Sequence, residues 1–353
     1  MSTISTTQLM PLLSTEVVRT FNEQLKIKPK SFLSSFFPVI QSKTLYPKAK
    51  VRRATEKVAK PVPFGHQGNR NMNNKFSVTT YDLYYFRENL DIIKTDAWFN
   101  VFGQSSYNAN NVASLIDVIG TEMEVVVDKI MRSKEYQAAS VLIDGTADSI
   151  DGGSIDFGRD PDSMVDLGSG NYWSTTSNNP YVDIQTGCDW LRTVGKCPST
   201  TFDVIMGSAA YNAFILTDQF QKRQQYFNSS PDTMFLNQMQ TTGGLYKGMI
   251  DAASYNVRIW VYNDFYEDLN GDMQPYFTTN KVVIIPENPD FNTLHGACPL
   301  VDASGKSISM EASPYVFNNY IDPARYEHIF DVQSRYLVTP VAVNQMYTMQ
   351  VLA

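Results

Sequence analysis

The sequence predicts an α+β fold built on one long helix among short strands and turns. In residues 111–143 apolar side chains recur every three or four positions, which keeps one helical face apolar, and no proline interrupts them. Residues 45–95 alternate in the manner of strands, and residues 181–309 mix helical and strand patterns. At roughly 1.5 Å per residue the helix is about 50 Å long, whereas an average helix has roughly 11–12 residues. A helix longer than the domain that carries it usually spans a layer or a neighbouring subunit. The long helix therefore indicates a protein that assembles.

The predicted helix has one apolar face and one charged face. Its apolar stripe, which we expect to face the core, is Val112, Ile116, Ile119, Met123, Val126 and Ile130. Its opposite face carries Asp117, Glu122, Asp128, Lys129, Arg132 and Lys134. Gly145 follows at the position where glycine commonly ends a helix.

The composition favours a folded protein synthesised in the reducing cytoplasm. The chain has 353 residues, 43% of them hydrophobic, enough for one large domain or two modest ones. No stretch approaches the roughly 20 consecutive apolar residues that span a bilayer. The first residues, MSTISTTQLMPLLSTEVV, lack the pattern of a secretion signal. Cys188, Cys197 and Cys298 are too few and too irregularly spaced for a disulfide framework, so we expect reduced thiols.

The net charge of -7 is unevenly distributed along the chain. Up to Lys94 there are 15 Lys and Arg against 6 Asp and Glu, a charge of +9, and the remainder has 14 against 30, a charge of −16. A basic front on an acidic body suits head-to-tail association of identical copies, because their unlike ends attract. Binding of nucleic acid by the basic front explains the same asymmetry, and the sequence leaves both interpretations open.

Residues 1–44 are predicted to form an arm. Residues 14–25 have the pattern of a short helix, and alternating lysines follow at Lys26, Lys28 and Lys30. The next stretch, SFLSSFFPVI, has no apolar partner nearby in sequence, so we expect it to dock elsewhere on its own subunit or on another one. In residues 45–95 two strand patterns flank the polar tip GHQGNRNMNN, which predicts a long hairpin that lies on a neighbouring copy as a strap.

The second half of the chain is predicted to alternate helices and strands. We expect helices at 182–194 and 209–214 with a strand at 202–206 between them. Asn270-Gly271 predicts a hairpin, because this pair accepts the positive φ angles of a tight turn. Two strand patterns near 327–340 and 344–352 close the chain.

The sequence gives only weak evidence for catalytic or metal-binding groups. His295 and Cys298 bring a base and a thiol close in sequence, but a small buried thiol in an apolar turn explains them better. Asp264, Asp268, Asn270 and Asp272 suggest a calcium loop, yet the Gly and Glu that such a loop needs at its sixth and twelfth positions are missing. Gly243, Gly244 and Lys247 lack the spacing of a nucleotide-binding loop. We therefore predict no enzyme, no cofactor and no metal site.

The basic residues of the strap form the group that we interpret as functional. Its basic residues alternate with apolar ones and are Arg52, Arg53, Lys57, Lys60 and Arg70. We expect them to contact acidic residues on the long helix of an adjacent copy, namely Asp117, Glu122, Glu124 and Asp128. Each exposed pair contributes only about 0–1 kcal/mol, but a closed ring repeats the contact in every copy. Phe36 and Phe37 are expected to add apolar contacts between subunits. A solvated strand face is the alternative interpretation of the strap.

Five collinear segments resemble the lambda-type tailed-phage major capsid protein family. The closing stretch DPARYEHIFDVQSRYLVTPVAVNQMYTMQVLA is similar to the end of that family. MSTISTTQLM with FLSSFFP is similar to its arm, and MRSKEYQAASVLIDGT to the end of its long helix. SIDFGRD followed by YWST and Tyr-Val-Asp is similar to its strand into the next domain. VRIWVYNDFYEDLNGDMQPYFTTNKVVII is similar to its strand–hairpin–strand.

The resemblance implies the Hong Kong 97-like capsid fold. Its parts are an N-terminal arm (1–44), an extended β-hairpin loop (45–95), a peripheral domain with the spine helix (96–180 and 310–353), and an inserted α/β axial domain (181–309). It also implies hexamers and pentamers that close an icosahedral shell around double-stranded DNA, with assembly in the host cytoplasm. The implied partners are a portal protein and a scaffolding protein, the latter separate because no long N-terminal extension is present. The sequence leaves open whether a decoration protein binds the outer surface.

Two other functions remain as alternatives. One is the shell of a bacterial nanocompartment with the same fold. Packaged DNA would indicate a phage head, and an enzyme cargo would indicate a nanocompartment. The other is an α/β hydrolase. The chain has only three histidines and lacks a nucleophile-elbow motif, and both observations count against a hydrolase.

Overall fold

The computed structural model describes residues 31–43, 50–52, 76–78, 82–92, 109–226, 243–252, 254–301, 308–311, 313–322 and 327–353. Within them the α-helices are α1 (Ala109–Asp144), α2 (Pro180–Thr193), α3 (Ser208–Leu216) and α4 (Asp218–Tyr226). Two short 3-10 helices are Leu33–Phe36 and Pro161–Ser163.

Helix α1 confirms the predicted long helix, with two more residues at its start and one more at its end. It has 36 residues. It ends where the sequence predicts: Gly145 has a φ of 76°, and its N–H donates to the carbonyl oxygen of Val141 at 3.0 Å. Glycine adopts this left-handed conformation without steric cost, so the helix stops there.

The described residues form nineteen strands, numbered here in chain order. The first ten are β1 (Val39–Gln41), β2 (Lys50–Arg52), β3 (Phe76–Val78), β4 (Tyr84–Ile92), β5 (Thr146–Asp148), β6 (Ser154–Asp156), β7 (Met164–Asp166), β8 (Thr201–Met206), β9 (Gly244–Ala252) and β10 (Tyr255–Tyr262). The others are β11 (Phe265–Glu267), β12 (Met273–Pro275), β13 (Lys281–Pro286), β14 (Phe291–His295), β15 (Cys298–Val301), β16 (Ile308–Glu311), β17 (Val316–Asp322), β18 (Glu327–Pro340) and β19 (Tyr347–Gln350).

Strand β18 is the centre of the first sheet. On one side it pairs antiparallel with β4, and on the other it pairs antiparallel with β14 and then β17. Strand β1 adds to β14 in parallel, which brings the end of the arm into this sheet. The apolar face of α1 packs on the same core: Met123, Val127 and Ile130 are buried, together with Leu337 of β18. The helix therefore lies across the first sheet, as its amphipathic pattern predicts.

The second sheet has the strand order β7-β19-β13-β8-β10-β9. Alternate residues of its central strands belong to two different cores. Val282 and Ile284 of β13 pack with α2 and α3, whereas Val283 and Ile285 pack with the core beneath α1. Because both faces of these strands are buried, their sequences are almost continuously apolar instead of alternating. The second sheet thus forms a layer between the two cores.

Several local predictions are confirmed. Helix α2, strand β8 and helix α3 lie where the sequence predicts them, and β18 spans the predicted residues 327–340. Strands β11 and β12 form the hairpin predicted at Asn270-Gly271, with a φ of 92° at Gly271. Strands β2 and β3 pair antiparallel, as expected for the two arms of the strap, whose tip lies outside the described residues.

At two places the sheets cross the predicted domain boundaries. Strand β14 falls within 181–309 but pairs with β18 of the first sheet. Strand β19 falls within 310–353 but pairs with β13 of the second sheet. The chain therefore passes between the sheets more often than a single insertion of 181–309 implies. The division of the chain into four units stays a prediction.

Candidate functional site

The basic strap residues lie largely beyond the described chain. Arg53, Lys57, Lys60 and Arg70 are outside the described residues. Arg52 ends strand β2, where its backbone is opposite Phe76 in the register of β2 with β3. The contact of these residues with a neighbouring copy stays a prediction.

The acidic residues predicted to receive the strap are on helix α1. Glu124 is exposed and Asp128 is half-buried. They are four residues apart and so share one helical face. Asp117 and Glu122 lie earlier on α1, where the description covers the backbone alone.

A buried carboxylate on α1 holds the last part of the arm, residues 32–37, which we name the arm base. Glu135 is 2% exposed, and it accepts backbone N–H bonds from Phe32 at 3.0 Å, Leu33 at 2.7 Å and Ser34 at 2.9 Å. The hydroxyl of Tyr262 on β10 donates a fourth bond at 3.0 Å. The three N–H groups belong to the start of the 3-10 helix Leu33–Phe36, where backbone donors have no partner within the helix. Burial raises the pKa of Glu135, and the hydrogen bonds from Ser34, Leu33 and Tyr262 act in the opposite direction by stabilising its carboxylate.

Aromatic packing completes the place where the arm docks, which we name the arm socket: Glu135, Gly244, Trp260 and Tyr262. The ring of Phe32 lies 5.2 Å from that of Trp260 and 5.8 Å from that of Tyr262, centroid to centroid. Gly244 allows this approach, because a Cβ at that position would lie 2.6 Å from the Phe32 ring. The arm base is therefore fixed on its own subunit by charge and by shape.

The burial of the arm base corrects one predicted site. Phe37 is 1% exposed within its own chain, where its ring stacks 5.1 Å from that of Phe291. It was expected to contact another subunit, but its partners, some 250 residues away along the chain, cover it first. Phe36 is half-buried against the same core, and a contact of its remaining surface with another copy stays a prediction.

A groove runs along the exposed side of α1, which we name the helix groove. Its volume is about 320 Å³, and it lies between the hairpins β5–β6 and β11–β12. Its walls include Val125, Lys129, Arg132, Ile150, Tyr266 and Leu269. Three of these apolar side chains are largely exposed: Val125 at 57%, Ile150 at 42% and Leu269 at 73%. A cluster of exposed apolar residues around a cavity is typical of a docking surface.

A buried arginine joins the end of α1 to the second sheet. Arg159 is 6% exposed, and its guanidinium donates to the carbonyl oxygens of Leu142 and Ile143 at 3.2 and 3.0 Å. It also donates to Met346 and Thr348, next to and within β19, at 3.1 and 2.9 Å. Ser163 accepts two further bonds through its hydroxyl and its carbonyl oxygen. Arg159 thus caps the carbonyls that helix α1 leaves without partners, and it ties that end to the second sheet.

Sequence reasoning missed both Glu135 and Arg159. Glu135 has a local signal, because it lies three and seven positions before Ala138 and Leu142 and so on a buried helical face. A charged residue at such a position indicates a buried partner. Lys134, assigned to the exposed face, is half-buried, and burial lowers its pKa. Arg159 lies in a polar stretch that has no periodicity and therefore carries no comparable signal.

The pair His295 and Cys298 lies in the interior. His295 is 2% exposed beside Tyr336, and Cys298 is fully buried. Burial, together with the charge of nearby Lys134, lowers the pKa of His295 to about 3. A neutral imidazole and a buried thiol are out of reach of a substrate, which agrees with the structural interpretation of this pair.

The buried imidazole predicts a pH dependence of stability. Between pH 6.5 and about 3 the unfolded chain binds a proton at His295 that the folded chain does not bind. The free energy of unfolding should therefore fall as the pH falls through this window, by up to about 1.4 kcal/mol per pH unit. Urea unfolding at pH 7, 5.5 and 4.5 should show a shallower pH slope for His295→Leu than for the unchanged chain. Equal slopes would contradict the prediction.

The acidic hairpin β11–β12 satisfies its own backbone. The carboxylate of Asp268 accepts N–H bonds from Asn270 at 2.8 Å and Asp272 at 2.9 Å, and these bonds lower its pKa. Among the described residues no three His, Cys, Asp or Glu side chains are grouped so that they could hold a metal ion. None of the described helices is both long enough and apolar enough to cross a membrane.

Comparison with known proteins identifies the family. Residues 14–351 match the family described as phage major capsid protein E. The chain belongs to this family. It is therefore a major capsid protein of a tailed phage, a component of the virion in which many copies act together. No curated protein matches the sequence.

Solved structures show the same fold. One is assigned as the capsid protein of a prophage of Escherichia coli CFT073, with a TM-score of 0.65, 14% identity, and coverage of 96% of this chain and 98% of that one. Another is a phage-related protein from Bordetella bronchiseptica RB50, with a TM-score of 0.54, 13% identity, and coverage of 96% of both chains. These matches confirm the predicted α+β fold as one that a phage capsid protein shares.

Proposed function

We propose that this capsid protein assembles as hexamers and pentamers into an icosahedral head that encloses double-stranded DNA. The observation that carries the proposal is the family match, which spans residues 14–351. The head assembles in the host cytoplasm, with a scaffolding protein and a portal protein as partners. DNA contacts inside the shell are not specific for sequence. The role of the chain is structural and does not include catalysis.

Two features of the chain support self-assembly. The front of the chain up to Lys94 has a charge of +9, and the remainder has a charge of −16, so unlike regions of neighbouring copies attract. The arm socket fixes the arm base on its own subunit, which gives the residues before it a defined starting point. The test is co-expression of the chain with its scaffolding protein, followed by light scattering and negative-stain microscopy. Closed particles of uniform size support the proposal, and a chain that stays monomeric at high concentration overturns it.

We propose further that the strap binds helix α1 of the adjacent copy. Arg52, Arg53, Lys57, Lys60 and Arg70 supply the positive charge. Glu124 and Asp128, one turn apart on α1, supply the negative charge, and Asp117 and Glu122 extend it toward the start of the helix. Asp128 lies one turn before Arg132, which lines the helix groove, so this acidic pair borders the groove along α1.

Charge reversal in the strap should block assembly without unfolding the chain. The double variant Arg52→Glu with Arg53→Glu is expected to keep its urea midpoint and to form no closed particles, because like charges then face each other at every repeat of the contact. Combining it with Glu124→Lys and Asp128→Lys should restore particles, and the second pair alone should also block them. Normal particles from the first double variant, seen by electron microscopy, would remove the strap proposal and leave the capsid function intact.

A further inference from the structure

Ring contacts through the buried core link the helix groove to the arm socket. A row of four tyrosines leads from one to the other: the ring centroids of Tyr262 and Tyr276 are 6.5 Å apart, those of Tyr276 and Tyr266 are 5.0 Å apart, and those of Tyr266 and Tyr136 are 5.0 Å apart. Tyr262 belongs to the socket, whereas Tyr266 and Tyr136 line the groove. The chain therefore meets the socket at Phe32 close to one end of the groove.

We propose that the helix groove is the docking site of residues 14–25 of the same chain. This segment has a helical pattern with Val17, Phe21 and Leu25 on one face and Val18 beside them. An amphipathic helix that lays its apolar face into a groove buries both surfaces from water. The exposed Val125, Ile150 and Leu269 provide the apolar surface that such a helix needs.

Length and reach fit this occupant. A helix of residues 14–25 is about 18 Å long, and the groove follows α1 from Val125 to Tyr136, about 17 Å at the same rise per residue. Residues 26–31 connect Leu25 to the socketed Phe32 and extend to roughly 20 Å. Docking on the same subunit thus requires neither a long linker nor a second copy.

Charge fits the same path. The connecting residues carry Lys26, Lys28 and Lys30. Glu267 and Asp268 line the groove on the hairpin β11–β12, which immediately follows the socket residue Tyr262 along the chain. The lysines would pass over these carboxylates on the way from groove to socket, and unlike charges favour that path.

The first test is hydrogen exchange on the full-length chain in its unassembled form. Phe21→Asp places a charge on the apolar face of residues 14–25, whereas Thr20→Asp places the same charge on the polar face. We expect Phe21→Asp to raise exchange at least tenfold at the hairpins β5–β6 and β11–β12, and Thr20→Asp to leave it unchanged. No change with Phe21→Asp, or the same rise with both variants, would overturn the docking.

The second test distinguishes the same chain from a second copy. Val18→Cys combined with Ser133→Cys on the groove wall is oxidised at low micromolar concentration. The native cysteines are buried, so the introduced thiols react. A disulfide within one chain, seen as a monomer of altered mobility on a non-reducing gel, is the expected product. A disulfide-linked dimer alone would overturn the assignment to the same chain, and no disulfide would overturn the docking. Neither result depends on shell formation, so the capsid function is tested separately.

Discussion

Arg159→Met is expected to lower the free energy of unfolding of the unassembled chain by about 3–5 kcal/mol, because a buried hydrogen-bonded cation is removed from its partners. The methionine fills much of the same space but donates no hydrogen bond. The carbonyl oxygens of Ser163 and Met346 would lose the guanidinium, as would those of Leu142 and Ile143 at the end of α1. The hydroxyl of Thr348 also lies within bonding distance of Leu142 and Ile143, so part of the helix cap survives.

Arg159→Lys is the matched control. Lysine keeps the charge but has a single nitrogen, which cannot reach the end of α1, Ser163 and β19 together. We therefore expect a loss of stability smaller than that of Arg159→Met but still measurable by urea unfolding. If Met and Lys at this position both left the urea midpoint unchanged, the linking role of Arg159 would be wrong.

The elements that the sequence predicted well are those with a strong local pattern. Helix α1 was predictable within two residues at its start and one at its end, because its apolar stripe repeats without interruption and Gly145 marks its end. The hairpin β11–β12 was predictable because Asn270-Gly271 constrains the turn by itself. Each of these signals lies within a few residues of the structure that it specifies.

The features that the sequence did not predict depend on residues far apart along the chain. Phe37 looks like an exposed apolar contact until Phe291 covers it, and nothing near Phe37 in sequence announces that partner. Strands β14 and β19 lie in sheets other than those that the predicted boundaries suggest, because strand pairing is decided by the whole sheet. The same reason explains why Glu135 was missed: its donors come from Phe32, Leu33 and Ser34, about 100 residues earlier.

Glu135→Ala is expected to release the base of the arm from its socket. The variant would leave three backbone N–H groups buried without an acceptor, and each such group costs about 1–3 kcal/mol. We therefore expect the free energy of unfolding to fall by about 3–5 kcal/mol. The fall cannot exceed the free energy with which the arm base docks, because the segment then detaches from the rest of the chain. Hydrogen exchange should then rise in Leu33–Phe36 and in β1, which joins the first sheet through β14 alone in the described residues, while exchange in β18 stays slow.

Two milder variants separate the carboxylate from the packing around it. Tyr262→Phe removes one of the four donors and leaves the three backbone bonds, so we expect a loss of about 1–2 kcal/mol and no release of the arm base. Glu135→Gln keeps one acceptor oxygen but turns an NH2 group toward backbone donors, so its loss should lie between those of the other two variants. If exchange in Leu33–Phe36 stayed slow in Glu135→Ala, the aromatic contacts of Phe32 would be sufficient to hold the arm. If the loss of stability instead increases in the order Tyr262→Phe, Glu135→Gln, Glu135→Ala, the buried carboxylate positions the arm on its own subunit in the unassembled chain.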